Sequence, residues 1–381
     1  MELELVKFLR SFPDVASALN EVKSKYALHV NAHKKYPNLL QFKYDQLDSP
    51  MSKRLVEESR GVILDSANNW NVVAYPFSKF YNHSEGRAAK IDWKSASIWE
   101  KVDGSLMFMY WYDGHWEVAS SGLPDASGPI NGTDYTLNQL FWDTWNAMGY
   151  ALPVDTNVTH MFELTSPETV VIVPHTKKTI TFIGARDIVS GNELSIDCDC
   201  FTSDWVRPRR FQVTSEAEAI NQCVKMNPME QEGFVVVDKN FNRVKMKSPQ
   251  YAAIAHLGFT REEIIEKGLR LDKYDEKLQM KWMLQIIVIN ECDEFLSYYP
   301  QYTNMYRNIR AKYDKLIASM NTLYDTVKGI TNQFEYAAKV KDHPLSGVFF
   351  RLKSGGLSSV EAGVRETDVK KLLNIITKDS K

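Results

Sequence analysis

The feature of this sequence that most constrains its fold is a change of hydrophobic period near residue 251. Before that point apolar residues come in short alternating or continuous runs bounded by Gly, Asn, Asp and Pro, the pattern of β-strands. Beyond it they recur every three to four residues to the end of the chain, which is the pattern of amphipathic helices. The sequence therefore predicts an α+β front and an all-α back, placed at 1–254 and 255–381. A chain of 381 residues is long enough for two such domains.

In the front part, 61–65 and 70–75 read as a hairpin around Ser66-Ala67-Asn68-Asn69, and 105–112 and 115–119 as a second across Asp113-Gly114. Asp-Gly supplies the positive φ angles of a tight hairpin turn. Further strands are expected at 39–44, 160–164, 170–173 and 179–186, with a last pair, 233–237 and 243–246, around Asp238-Lys239-Asn240. Helices are expected from Pro13-Asp14-Val15-Ala16, at 136–148, where Leu137, Leu140, Phe141, Trp145 and Met148 share a face, and at 217–226. In the back part Thr260-Arg261-Glu262-Glu263 has the form of a capping box. Helices follow at 282–295, along the stripe Tyr306, Ile309, Tyr313, Leu316, Ile317, Met320, Tyr324 and Val327, and at Val369, Leu372, Leu373 and Ile376.

The formal charge of −2 excludes a global positive field, so any polyanion-binding surface must be local. The chain is net acidic up to His256 and net basic after it, a mild bias of the tail toward polyanions. Cys198, Cys200, Cys223 and Cys292 lack Cys-x-x-Cys spacing and are expected as reduced thiols. The first residues lack the basic and apolar regions of a signal peptide, and the apolar stretch 283–289 is too short to span a membrane. A cytoplasmic protein is expected.

Chemistry concentrates at Lys101-Val102-Asp103-Gly104-Ser105-Leu106. A free lysine titrates near 10.4, so an attacking amine needs neighbouring cations, burial or an activated electrophile. Lys245 and Lys247, two apart on a strand, point to one face and can supply the cations, although an exposed edge-strand face is the plain alternative. Arg60 can grip phosphate in bidentate fashion. Lys79 sits between Phe77 and Phe80-Tyr81, where a lysine is costly unless its amine reaches water or an anion. Arg207-Pro208-Arg209-Arg210 reads as a solvated basic loop.

Taken together, Lys101-Val102-Asp103-Gly104, Phe162-Glu163, Glu232-Gly233-Phe234-Val235-Val236 and Val244-Lys245-Met246-Lys247 resemble the ordered motifs of the covalent nucleotidyltransferases. These include ATP-dependent DNA ligases, RNA ligases and mRNA-capping guanylyltransferases. Ser59-Arg60-Gly61-Val62, Pro76-Phe77-Ser78-Lys79-Phe80-Tyr81-Asn82 and Tyr251 are similar to the phage RNA ligase 1 family in particular. The resemblance implies a nucleotidyltransferase domain of ATP-grasp-like antiparallel sheets with flanking helices. It implies Lys101 as the nucleophile that takes AMP from ATP, with Lys245 and Lys247 as catalytic cations and Glu232 and Glu163 as ligands of magnesium, or manganese in its place. It assigns ATP to Arg60, Lys79, Phe80, Tyr81, Glu163 and Tyr251 as well, Glu163 through the ribose and Tyr251 through phosphate or RNA, with helix packing an equal reading of Tyr251. The implied substrate is RNA with 5′-phosphate and 3′-hydroxyl ends, in tRNA repair, supplied by an end-healing kinase/phosphatase, with the protein a monomer in the host cytoplasm if phage-encoded. One departure is Ser121, where relatives carry a lysine; Arg87, Lys90 or the 207–210 cluster are candidates to replace it. A helical tail disfavours a DNA ligase or capping guanylyltransferase, which continue into a small β-barrel. A non-catalytic RNA-end-binding protein is the third reading.

Overall fold

The computed structural model describes residues 2–198, 200–201, 204–257, 274–289, 292, 295–296 and 299–378. By contacts the chain divides into two compact units, Met1–Tyr251 and Ala252–Lys381.

The first unit is built on three sheets. The first has β1 (Leu28–Ala32), β2 (Leu39–Tyr44), β3 (Arg60–Asp65) and β4 (Asn71–Ala74) side by side and antiparallel. Helices α1 (Glu4–Arg10) and α2 (Val15–Tyr26) cover one face, packing Leu5, Leu9 and Val22 on Phe42, Leu64 and Trp70. Asp14 starts α2 by accepting the Ser17 N–H, a cap of the kind the sequence indicates. A short α3 (Arg54–Glu58) leads into β3.

The next strands are β5 (Tyr81–Asn82), β6 (Ser97–Lys101), β7 (Ser105–Tyr112), β8 (His115–Ser120), β9 (Val158–Thr165), β10 (Thr179–Asp187), β11 (Glu193–Leu194), β12 (Arg210–Phe211), β13 (Gly233–Val237) and β14 (Arg243–Lys247). They sort into the sheets β11-β10-β9-β7-β8 and β12-β6-β13-β14-β5. The chain thus changes sheet between Lys101 and Ser105, at the Asp-Gly the sequence singled out. Helix α4 (Leu137–Ala147) opens with a capping box of Thr136 and Gln139 and lays Phe141 and Trp145 on Phe162, Phe182 and Trp205 of the second sheet. Helix α5 (Glu216–Lys225) covers Phe234 and Met246 of the third with Ala219 and Cys223.

The second unit is helical among its described residues. After α6 (Pro249–Leu257) come α7 (Glu276–Ile289), α8 (Thr303–Val327), α9 (Gln333–Val340), α10 (Ser346–Lys353), α11 (Val360–Arg365) and α12 (Val369–Lys378). Ile309, Tyr313, Met320 and Val327 of the expected stripe are buried along α8 against Trp282, Ile286, Phe349 and Leu373. The expected capping box at 260–263 lies outside the described residues.

Two expectations are corrected. Residues 170–173 are not a strand but an irregular loop after the turn Pro167–Thr169. Cys198 and Cys200 are joined as a disulfide, whereas Cys223 and Cys292 are buried thiols.

Candidate active site

Period-two geometry sorts the strands of the third sheet into a core side and a site side. Phe234, Val236, Val244 and Met246 are buried under α5, which turns Gly233, Val235, Lys245 and Lys247 the other way. Gly233 is opposite Lys101 in β6 and opposite Lys247 in β14. Directly opposed residues point to the same face, so Lys101 and Lys247 flank Gly233 in one row, with backbones about 10 Å apart. Only glycine fits between them, because a Cβ at Gly233 would strike the Met246 carbonyl.

Glu232, next to this row, is buried, and its Oε2 accepts a hydrogen bond from Lys101 Nζ at 2.6 Å. Lys101 keeps 24% of its side chain accessible, so the amine is held at the edge of solvent rather than sealed in.

Glu163 enters from β9 in the second sheet, opposite Leu106, while its neighbour Phe162 packs into the core. Burial, with Glu232 and Asp103 close by, pushes the Glu163 carboxyl up to about 7 against the pull of Lys101 and Arg60. A carboxyl so placed lies in one electrostatic neighbourhood with both cations and both acids.

Asp103 fastens the turn. It is 5% exposed. Its Oδ2 accepts the Ile172 and Val173 N–H groups at 2.9 and 2.7 Å, and its Oδ1 accepts the Tyr251 hydroxyl at 2.7 Å. The His175 ring nitrogen lies 2.7 Å from the Asp103 carbonyl. The chain comes so close to β9 here that a Cβ on Gly104 would lie 2.5 Å from the Leu164 carbonyl oxygen. The carboxylate therefore answers the amide groups that 170–173 would otherwise offer to a strand partner. The sequence carries no signal for Ile172, Val173 and His175 as its partners.

On the side of the first sheet, Arg60 places its guanidinium 5.0 Å over the Phe80 ring, and burial lowers its pKa. The Lys79 amine lies 5.0 Å over Tyr44 and reaches Gln46 at 3.3 Å. Tyr81 is turned away, its hydroxyl donating to Glu57 Oε1 at 2.9 Å. The geometry thus gathers Lys101, Glu163, Glu232 and Arg60, sets Lys245 and Lys247 on their face, and puts Phe80 beside Arg60. It spends the hydroxyls of Tyr81 and Tyr251 on protein carboxylates. Of the loop cations, Arg209 bonds Gln231 at 3.0 Å and Arg210 bonds Ser97 at 3.0 Å, while more than half of each side chain stays exposed to solvent, as a solvated loop requires.

Among the described residues no three His, Cys, Asp or Glu side chains gather as a metal cage. Glu163, whose ionisation Glu232 makes more costly, and Glu232 itself fit a hard divalent cation of the magnesium type. Such an ion takes one or two carboxylates and completes its shell with phosphate and water.

No described helix is long and apolar enough to cross a membrane. Compared with known proteins, the chain is 25% identical over 347 residues to a protein of Autographa californica nuclear polyhedrosis virus named as a bifunctional polynucleotide kinase/RNA ligase. That alignment covers 85% of this chain and 46% of the relative. It is 28% identical over 217 residues to an RNA ligase of Rhodothermus phage RM378, covering 48% of each. The chain spans about half the length of the curated relatives it matches. Among solved structures, an archaeal ATP-dependent RNA ligase aligns at a TM-score of 0.44 and 11% identity, covering 77% of this chain and 80% of that one. The family profile described as RNA ligase, of the phage RNA ligase 1 type, matches residues 58–251, the segment that holds Lys101, Glu163, Glu232, Lys245, Lys247 and Tyr251; the chain belongs to that family.

Proposed function

We propose that the protein is an ATP-dependent RNA ligase that works through a covalent lysyl-AMP on Lys101. The observation that carries this reading is the row Lys101, Gly233, Lys247 with Glu232 on the Lys101 amine at 2.6 Å, inside the family-matched segment.

In the first step the Lys101 nitrogen attacks the α-phosphorus of ATP. The N–P bond forms as the bond from phosphorus to the bridging oxygen breaks, and pyrophosphate leaves with that electron pair. Glu232 accepts a hydrogen bond from the amine and is the acceptor in place for the proton it must lose. Lys245 and Lys247 oppose the charge growing on the phosphate oxygens. Arg60 and Lys79, on other elements, are placed for the departing phosphates, and Glu163 for the ribose. A magnesium ion, or manganese, held by Glu232 and Glu163 would neutralise phosphate charge during this step. AMP then passes to an RNA 5′-phosphate, breaking the N–P bond, and attack by a 3′-hydroxyl joins the ends and releases AMP.

Family membership supports RNA as the substrate, and the polynucleotide kinase in the name of the viral relative supports an end-healing kinase as the source of 5′-phosphate ends. We place the activity in tRNA repair, with a monomer acting in the host cytoplasm. The helical second unit favours a ligase of this kind over a DNA ligase or a capping guanylyltransferase.

The test is labelled ATP or GTP with magnesium. Acid-stable label on the polypeptide is expected from ATP alone, and Lys101→Ala should abolish it in a folded protein. The labelled protein should then transfer AMP to 5′-phosphorylated RNA. Label from GTP would favour the capping reading, and no label from either would favour a non-catalytic RNA-end binder.

A further inference from the structure

The first sheet carries a cation that the steps above leave idle. Lys43 of β2 lies directly opposite Arg60 of β3, just past the register shift between Phe42 and Lys43. Opposed residues of an antiparallel pair share a face with Cβ atoms about 4.5–5.5 Å apart, and like charges so placed are destabilising. Among the described residues no carboxylate is hydrogen-bonded to the Lys43 amine. Lys79, a third cation, rests on the ring of Tyr44, the next residue along. Arg60 has Glu163 as its neighbouring acid, whereas the Lys43 amine has none, and a cation so left is open to an anion from outside the protein.

The reach of Lys43 is fixed by its own face of the sheet. Asn31 Nδ2 donates to the Gly122 carbonyl at 2.8 Å, and Gln41 Nε2 to the Ser120 carbonyl at 2.9 Å. Both bonds fasten the turn that closes β8, where Ser120 Oγ also accepts the Leu123 N–H at 3.1 Å. Two residues beyond Gln41, Lys43 points to the same turn, and its Nζ lies 3.7 Å from where a Cβ on Gly122 would be. Ser121 sits in this turn without a charge to offer. The turn adjoins the reaction centre through the second sheet, since Ser120 pairs with Met107, and Leu106 with Glu163.

We propose that Lys43 is a phosphate-binding residue of the ligase. Together with Arg60 and Lys79 it holds the β- and γ-phosphates of ATP, filling from β2 the cationic position that Ser121 leaves empty. The assignment rests on the ATP reading of the site. In-line attack from Lys101 requires those phosphates on the far side of the α-phosphorus, and Lys43 and Arg60 stand on a different sheet from Lys101. None of Arg87, Lys90 or the 207–210 cluster is needed for this task.

The test uses the full chain and the covalent label as its readout, with wild type as the control for the underlying reading. Wild type that takes no label from ATP defeats the ligase proposal itself. Where wild type labels, Lys43→Met should raise the ATP concentration for half-maximal labelling about tenfold, the worth of one charge-assisted hydrogen bond, and leave the saturated rate near that of wild type. Lys43→Arg should retain affinity, and adding Ser121→Lys to Lys43→Met should restore part of it. Without nucleotide, Lys43→Met should melt no lower than wild type, because it relieves repulsion with Arg60, and ATP should shift its melting less while AMP shifts both alike. Wild-type ATP dependence in Lys43→Met overturns the proposal. So does normal labelling with failed transfer to 5′-phosphorylated RNA, which would assign the anion to the RNA end. A loss not eased by either Lys43→Arg or the Ser121→Lys addition would make Lys43 merely structural.

Discussion

The most quantitative consequence concerns Glu163. Its carboxyl is held at about 7 instead of the ordinary 4.5 by burial and by Glu232 and Asp103. Between these values the folded state keeps a proton that the unfolded chain has lost, so stability falls as pH rises through the window and levels off above it. The interval corresponds to at most about 3 kcal/mol of destabilisation at pH 8, less in proportion to the water that reaches this partly exposed side chain. Glu163→Gln keeps the shape and removes the charge. Without nucleotide or divalent ion, the variant should be more stable than wild type by about 1–3 kcal/mol at pH 8, and the two should converge toward pH 4–5. For a unit of this size each kcal/mol moves the melting point by roughly 2–4 °C. Urea or thermal unfolding at a series of pH values reads the difference directly. A variant less stable than wild type at pH 8 would mean that Lys101 and Arg60 outweigh burial and the two acids. A difference that does not change with pH would mean that Glu163 does not titrate in this window at all.

Tyr251→Phe removes one hydrogen bond to a buried carboxylate and should cost about 1.5–3 kcal/mol in chemical denaturation. Its coupling to Asp103→Asn in a double-mutant cycle should be well above zero, and independent effects would refute the bond. Gly233→Ala should disrupt the β13–β14 pairing by collision with the Met246 carbonyl, seen as lost amide protection at 233–247. Glu193 accepts Arg186 and Arg243 at 2.8 Å each, so Glu193→Ala leaves two largely buried guanidinium groups unpaired; a loss of about 3–5 kcal/mol is expected in the same unfolding assay.

What was readable in the sequence is what local pattern governs. Alternation in 243–247 fixes which way Lys245 and Lys247 face, and the turn residues Asp113-Gly114 fix the hairpin on either side. The stripe from Tyr306 to Val327 fixes a long helix. Val170, Val171, Ile172 and Val173 mislead because β-branched residues favour strands only when a strand partner takes their amide groups, and here Asp103 takes two of them. Helices α1, α9 and α11 are too short for a period to stand out. The nucleophile region could be found from its motif order, but Lys43 could not. Its meaning comes from a strand pairing with Arg60 and a turn some eighty residues away. The bond between Tyr251 and Asp103 was out of reach for the same reason.

That last bond ties the start of the reaction centre to the final residue of its unit. While the protein is being synthesised, the ribosome has delivered Lys101, Asp103 and Glu163 long before Tyr251 emerges, and until then one oxygen of a carboxylate destined for the interior has no donor to meet it. The site can therefore be assembled early but not completed early. A truncation that ends between Lys247 and Tyr251 should yield a chain that carries every reactive side chain yet holds its nucleophile on a loosened turn.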